Sequence, residues 1–141
     1  MRTKGRLWII IVLLTCCLGT GRAQTVRNGS NASIGRIESD GTVRNGSNAR
    51  IGCFESNGAI RDGSNRRVGT LESNGTIRDG SNRMIGCIES NGTVRNASNA
   101  KIGCIESNGT VRDASNRMIG SAEGIRPAYA AVFFFFRLFN N

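Results

Sequence analysis

Two charged residues recur once in every repeat of the chain, and their side chains are the ones best suited to chemistry. The arginines are Arg27, Arg44, Arg61, Arg78, Arg95 and Arg112. The glutamates are Glu38, Glu55, Glu72, Glu89, Glu106 and Glu123. Converging guanidinium groups would bind an anion such as a lipid headgroup or a sulfated glycan, whereas exposed arginine–glutamate pairs form only a salt-bridged girdle. Both interpretations stay open, and the six arginines are the candidate ligand-binding residues.

Catalytic chemistry is not predicted. A carboxylate pair that performs acid–base catalysis needs two differently tuned environments, whereas the six glutamates are equivalent. The chain contains no histidine, so the commonest general base and the commonest metal ligand are both missing. We therefore predict a protein that is not an enzyme and that has no cofactor and no metal site.

One position of the repeat carries three of the five cysteines. The residues at this position are Arg36, Cys53, Thr70, Cys87, Cys104 and Ser121. Because arginine, threonine and serine occupy the same position, it has no chemical requirement for sulfur. A disulfide between Cys87 and Cys104 in neighbouring repeats is the alternative.

The N-terminal segment 1–23 has the pattern of a cleaved signal peptide. Basic residues precede an apolar run from Leu7 to Leu18, and small residues at Gly21 and Ala23 suit cleavage before Gln24. The run is shorter than the roughly 20 residues of a membrane-spanning helix. We predict an exported protein that is periplasmic, envelope-associated or secreted; a retained anchor and a lipoprotein are the alternatives.

The charge balance is basic. The full chain carries +9, and residues 24–141 carry about +5 once the four basic residues of the signal are removed. Such a balance favours anionic surfaces, but nucleic acid is not an expected partner of an exported chain. Membrane lipid or another envelope protein is the expected partner class.

Residues 24–141 form one predicted domain that consists mainly of six repeats. The copies begin at Thr25, Thr42, Ala59, Thr76, Thr93 and Thr110, with the consensus T-[VI]-R-[ND]-[GA]-S-N-x-x-[IV]-G-x-[IL]-E-S-[ND]-G. A 17-residue period is shorter than that of the common helical repeats. Each copy has two turn signals, "SNG" with glycine in the left-handed region and "GSN" or "ASN" with asparagine there. Two turns leave two short strands, so each copy is predicted to form a β-hairpin.

The apolar residues predict the strand register. Closing a three-residue loop at 39–41 places Ile37 opposite Val43, and closing the next loop at 46–48 places Val43 opposite Ile51. This arrangement puts the apolar residues of both strands on one buried face.

One such hairpin is marginal alone, but six hairpins hide their edges by closing into a ring. The predicted fold is all-β, with the six repeats closed into an antiparallel ring; an open parallel solenoid is the rival. Gly35 and its equivalents are predicted to be bulges that restore the register.

The C-terminal segment 127–141 changes composition, because Ala128 to Phe136 are continuously apolar. The segment is predicted to be a closing strand or a plug that fills the lumen. Two alternatives remain, a strand of an outer-membrane barrel and an exposed apolar foot. In the latter, the residues that contact a membrane or partner are Phe133, Phe134, Phe135 and Phe136.

The unit "GRIESDGTVRNGSNARIG", its iteration after an export signal ending "AQ", and the terminal "AAVFFFF" resemble the β-flower family of small bacterial repeat proteins. The resemblance covers residues 25–136 and implies a shallow, radially symmetric barrel with no assigned activity. The three cysteines and the terminal "RLFNN" depart from the family pattern. We predict a binding or structural module of the bacterial cell envelope that contacts lipid or another anionic ligand. A secreted adhesive or glycan-binding protein and a ligand-free spacer are the alternatives.

Overall fold

Two residues with positive φ reverse the chain in each repeat. In the computed structural model, which describes residues 24–139, Asn31 has a φ of 68° and Gly41 a φ of 95°. The Asn28 N–H donates to the Ala32 carbonyl at 2.9 Å, and the Glu38 N–H donates to the Thr42 carbonyl at 2.8 Å. Both turns are therefore three-residue loops, as the sequence predicts.

Between these turns lie twelve strands of four or five residues. They are β1 Gln24–Asn28, β2 Ser33–Ile37, β3 Thr42–Asn45, β4 Arg50–Phe54, β5 Ala59–Asp62, β6 Arg67–Leu71, β7 Thr76–Asp79, β8 Met84–Ile88, β9 Thr93–Asn96, β10 Lys101–Ile105, β11 Thr110–Asp113 and β12 Met118–Ser121. A helix, α1, follows at Pro127–Phe135.

The strands form one closed antiparallel barrel in which each pairs with its chain neighbours. The ring closes where β1 pairs with β12, with Arg27 opposite Ser121 and Asn28 opposite Gly120. The predicted all-β barrel of six hairpins is therefore confirmed, and the open solenoid is excluded. Closure leaves the barrel without a free strand edge.

The register agrees with the prediction at one turn and differs at the other. Ile37 lies opposite Val43 across the first turn, as expected. Across the next turn, however, Val43 pairs with Gly52, and Arg44 pairs with Arg50.

The predicted Val43–Ile51 pair is therefore wrong, because Ile51 is itself the extra residue of a β-bulge. The same shift occurs in each repeat, at Ile34 in the first. The prediction that the repeat glycine forms the bulge is also wrong, since Gly35 is regularly paired with Val26.

Two rings of buried side chains form most of the core. One consists of the residues Val26, Val43, Ile60, Ile77, Val94 and Val111, all 0% exposed. The other consists of Ile37, Phe54, Leu71, Ile88, Ile105 and Ala122. The bulge residues, Ile34 and its equivalents, are partly buried against this core.

The loops alternate between the two ends of the barrel. We call one end the Asn-turn end; it consists of loops 29–32, 46–49, 63–66, 80–83, 97–100 and 114–117. We call the other the Gly-turn end; it consists of loops 38–41, 55–58, 72–75, 89–92 and 106–109 and the connection 122–126.

Candidate functional site

The C-terminal segment enters the barrel from the Gly-turn end. A cleft of about 170 Å³ beside Tyr129 is lined by Ser56, Asn57 and Gly58, which places the start of α1 among the Gly turns. The Tyr129 ring stacks on Phe54, with centroids 4.0 Å apart and an interplanar angle of 8°. Phe54 is the one aromatic residue at its repeat position, so this contact distinguishes its repeat from the other five.

Past the start of α1, one apolar side chain approaches each repeat glycine of the barrel. A Cβ built on the glycine would lie 2.5–2.9 Å from the facing side chain in each repeat. The pairs, in order around the ring, are Gly52–Phe139, Gly69–Leu138, Gly86–Phe136, Gly103–Phe135, Gly120–Phe134 and Gly35–Phe133. The segment therefore winds once around the lumen and gives one residue to each hairpin; it skips only Arg137, which is exposed and has a φ of 41°.

This arrangement decides between the interpretations of the tail. Residues 127–139 form a plug and not a closing strand, and Ala130, Ala131, Val132, Phe133 and Phe139 are buried. Within residues 24–139 no helix, α1 included, reaches the length and hydropathy needed to cross a bilayer.

The four phenylalanines proposed as a contact surface all take part in this plug. Phe133 is buried, whereas Phe134, Phe135 and Phe136 keep part of their surface accessible. Their contact with a membrane or partner stays a prediction. Because their rings already contact the glycines, at most their outer edges are available to a ligand.

The repeated arginines and glutamates come together in pairs. In five repeats the arginine Nε lies 2.8–3.0 Å from a glutamate Oε2 across the Gly turn. These pairs are Arg44–Glu38, Arg61–Glu55, Arg78–Glu72, Arg95–Glu89 and Arg112–Glu106. Each of these arginines also donates to an asparagine carbonyl at the adjacent Asn turn. The ion pairs largely satisfy the guanidinium groups, which favours the girdle interpretation.

The sixth equivalent pair is different because it falls where the ring closes. Within residues 24–139, Arg27 and Glu123 form no ion pair, although the Arg27 guanidinium donates to the Asn31 carbonyl at 3.0 Å. Anion binding by the six arginines stays a prediction, with Arg27 the one that lacks a carboxylate partner in the described part of the chain.

The cysteines do not form the bridge that the sequence allowed. Cys53, Cys87 and Cys104 are free thiols that are partly exposed. Strand β9 lies between Cys87 on β8 and Cys104 on β10, and two strand spacings amount to about 9.5 Å. A disulfide needs Cα atoms within about 7 Å, so the barrel keeps these two residues too far apart. In the described part of the chain, no group of three cysteine, aspartate, glutamate or histidine side chains could hold a metal ion.

Aspartate or asparagine at the start of each Asn turn fixes the loop. Asp62 Oδ1 accepts hydrogen bonds from the N–H groups of Ser64 and Arg66, both at 2.9 Å. Asn45 makes the same two bonds to its own loop. The backbone hydrogen bond from Arg66 lowers the pKa of Asp62, and the equivalent bonds lower the pKa values of Asp79 and Asp113.

These lowered pKa values predict sensitivity to acid. A carboxyl group whose pKa is lower in the folded state stabilises the protein above its unfolded pKa, about 3.9 for aspartate, and loses this contribution as the pH falls through the folded pKa. We expect the variant with Asp62, Asp79 and Asp113 all changed to Asn to match the parent at neutral pH and to lose less stability below about pH 4. Thermal unfolding across the pH range measures the difference, and parallel curves would contradict this origin.

Charge is distributed unequally between the two ends of the barrel. The Asn turns and the residues beside them carry six basic residues, which are Arg50, Arg66, Arg67, Arg83, Lys101 and Arg117, against three aspartates. The Gly turns instead carry the glutamates and Asp40. The net positive charge of the barrel is therefore concentrated at the Asn-turn end.

The sequence did not point to these basic residues, nor to the contact of each repeat glycine with one side chain of the plug. The basic residues stand at two of the three variable positions of the consensus, the adjacent pair that follows S-N, so a search for repeated residues passes over them. The repeat glycines are visible in the sequence, but their role depends on side chains that lie beyond the repeats, in the C-terminal segment. No pattern within a single repeat predicts this contact.

The fold defines a class: a closed antiparallel barrel of hairpin repeats whose lumen is filled by the C-terminal segment of the same chain. The model of a family described as "5-fold beta-flower protein" matches residues 23–138, and the chain belongs to this family. The β-flower resemblance is thus confirmed, although this barrel has six hairpins where the family description names a five-fold ring. Comparisons with curated proteins and with solved structures gave no match.

Proposed function

We propose that this protein is an exported, non-catalytic binding module of the cell envelope, and that its Asn-turn end docks on an anionic membrane surface. The observation that carries the proposal is the concentration of positive charge at this end. Export itself rests on residues 1–23, which lie outside the described residues.

The basic residues at the Asn-turn end are solvent-exposed and can contact a flat surface. The side chains of Arg66, Arg83 and Arg117 are 80–82% exposed, although each lies 3.6–3.8 Å from an aspartate of its own turn. Each basic residue near an anionic lipid surface contributes about 1 kcal/mol of binding free energy. Several such residues together are enough for reversible docking.

The arginine girdle is a weaker candidate for the same role. Five of its arginines already pair with glutamates, so an anion would have to compete with a carboxylate 2.8–3.0 Å away. The near-identity of these pairs also supports a non-catalytic role, because no two carboxylates are set apart as acid and base.

The glycan-binding alternative is less well supported. Sugar rings are commonly bound by exposed aromatic faces, and the aromatic residue at the Gly-turn end is Tyr129. Phe54 stacks on the Tyr129 ring, and the Arg126 guanidinium lies 4.6 Å from its centroid. The ring is therefore already covered by groups of the same chain.

Vesicle binding tests the proposal with two variants of equal charge change. Arg66→Gln with Arg67→Gln removes two positive charges from the Asn-turn end, whereas Arg126→Gln with Asn74→Asp lowers the net charge by the same amount at the Gly-turn end, where Asp40 already occupies the place equivalent to Asn74. At about 1 kcal/mol per residue, the first pair is expected to weaken binding to anionic vesicles about 10- to 30-fold. The second pair is expected to weaken it only about twofold, because salt screens distant charges.

Neutral vesicles serve as the lipid control, and binding to anionic vesicles should fall as the salt concentration rises. Equal losses in the two variants would contradict docking through the Asn-turn end. If the parent protein does not bind anionic vesicles at all, the membrane proposal fails, and the glycan-binding and spacer alternatives remain.

A further inference from the structure

Two methionines stand out on the Asn-turn end. Met84 is 39% exposed and Met118 is 44% exposed, and they are the large hydrophobic residues that the described part of the chain leaves exposed. Both occupy the repeat position just before the bulge isoleucine. The other copies have Ser33, Arg50, Arg67 and Lys101 at this position. The position therefore tolerates polar side chains, and nothing in the barrel core requires methionine there.

The two methionines lie in one sector of the ring. Met84 begins β8 and Met118 begins β12, and between them β10 begins with Lys101. The arginines that precede the methionines, Arg83 and Arg117, each pair with an aspartate of their own turn. This sector thus presents two apolar side chains around one lysine that forms no ion pair in the described part of the chain.

The opposite sector of the Asn-turn end is mainly cationic. Arg50 and Arg67 begin β4 and β6, Arg66 ends the turn before β6, and a single carboxylate, that of Asp62, accompanies them. One end of the barrel therefore carries an apolar sector and, across the ring from it, a cationic sector. A bilayer with anionic headgroups above an acyl layer offers the complementary groups to both.

We propose that Met84 and Met118 insert into the acyl region of an anionic bilayer, while Lys101 between them contacts a lipid phosphate. This inference rests on the proposed function and adds the residues that enter the membrane. Methionine suits the role because its unbranched side chain adapts to an irregular apolar environment. The unequal sectors would tilt the barrel so that the side formed by β8–β12 lies deepest.

Changing Met84→Ser together with Met118→Ser tests the insertion. Serine occupies the same position at Ser33, so the barrel is expected to fold normally. We expect affinity for vesicles with about one-third anionic lipid to fall at least about tenfold, with the salt dependence unchanged because no charge is altered. Ser33→Met is the matched control in the opposite direction and is expected to leave affinity unchanged or to raise it.

A second measurement uses the unaltered protein. Peroxide converts exposed methionine to its sulfoxide, and peptide mass spectrometry follows each site. Anionic vesicles are expected to slow the oxidation of Met84 and Met118, and neutral vesicles are not expected to slow it.

The outcomes separate this inference from the proposed function. Failure of the unaltered protein to bind anionic vesicles overturns both. Binding that the two serine substitutions do not weaken, with both methionines oxidised as fast as in free protein, overturns only the insertion. Self-association without lipid that the two substitutions abolish would show that a second copy covers the methionines, and it would also overturn the insertion.

Discussion

A chain that ends at Arg126 is expected to lose the cooperative fold of the barrel. The deletion removes the plug, so the six glycines and the two rings of buried side chains would face an empty lumen. Truncating a single buried phenylalanine costs about 3–5 kcal/mol, whereas a whole domain is stable by only about 5–15 kcal/mol. Removal of Phe133 and Phe139 together with the rest of the plug should therefore exceed the available stability. Thermal unfolding followed by circular dichroism would show no sharp transition.

A conservative change in the same segment is the control. Phe136→Leu keeps an apolar side chain next to Gly86, and Leu138 already fills the equivalent place next to Gly69. A swap of this kind is expected to cost less than about 1.5 kcal/mol. A shortened chain that unfolds cooperatively near the temperature of the full chain would show that the strands alone stabilise the ring, and that the plug is an accessory.

Adding one methyl group at a ring glycine is expected to have the second-largest effect. A Cβ at Gly86 would clash with the Arg95 carbonyl oxygen and would lie 2.5 Å from the Phe136 ring. The oxygen belongs to the neighbouring strand and the ring is packed in the plug, so neither can move without disturbing its neighbours. We expect Gly86→Ala to lower the free energy of unfolding by about 2–3 kcal/mol, measured by denaturant titration.

Gly80 is the matched control because it lies in the same repeat. A Cβ there would be 3.5 Å from its nearest neighbour, the Arg67 carbonyl oxygen, and alanine occupies the equivalent place at Ala97 and Ala114. Gly80→Ala is expected to change stability by less than about 0.5 kcal/mol. Similar losses at Gly80 and Gly86 would mean that backbone entropy, and not contact with the plug, explains the regular spacing of the glycines.

Local chemistry made the hairpins predictable. Asn31 and Gly41 take positive φ because these residue types tolerate the left-handed region. Two such turns in each repeat leave only short strands between them, and the apolar positions then define one inner face. Closure also followed from sequence, since six equivalent hairpins remove their free edges by joining the first strand to the last.

The β-bulge at Ile51 could not be predicted from the turn positions. Turn positions alone placed Ile51 opposite Val43, whereas in the structure Gly52 takes that place. The reason lies in the lumen, because the residue opposite Val43 must leave room for Phe139 of the plug. A side chain as large as isoleucine at that point would occupy the same space, so the bulge moves Ile51 out of the pairing.

The sequence by itself determined the repeat, its turns, the closed all-β barrel and the family, because each depends on contacts within one repeat or between adjacent repeats. Only the tertiary structure decided that the tail is a plug, that one apolar residue meets each glycine, and that the basic residues and two methionines share one end. Each of these features depends on residues that are far apart in the chain. Those residues either stand at positions where the repeats differ or belong to the C-terminal segment outside the repeats. The repeated residues determine the hairpin structure that the six copies share. The positions of the non-repeated residues relative to one another are determined only by closure of the ring.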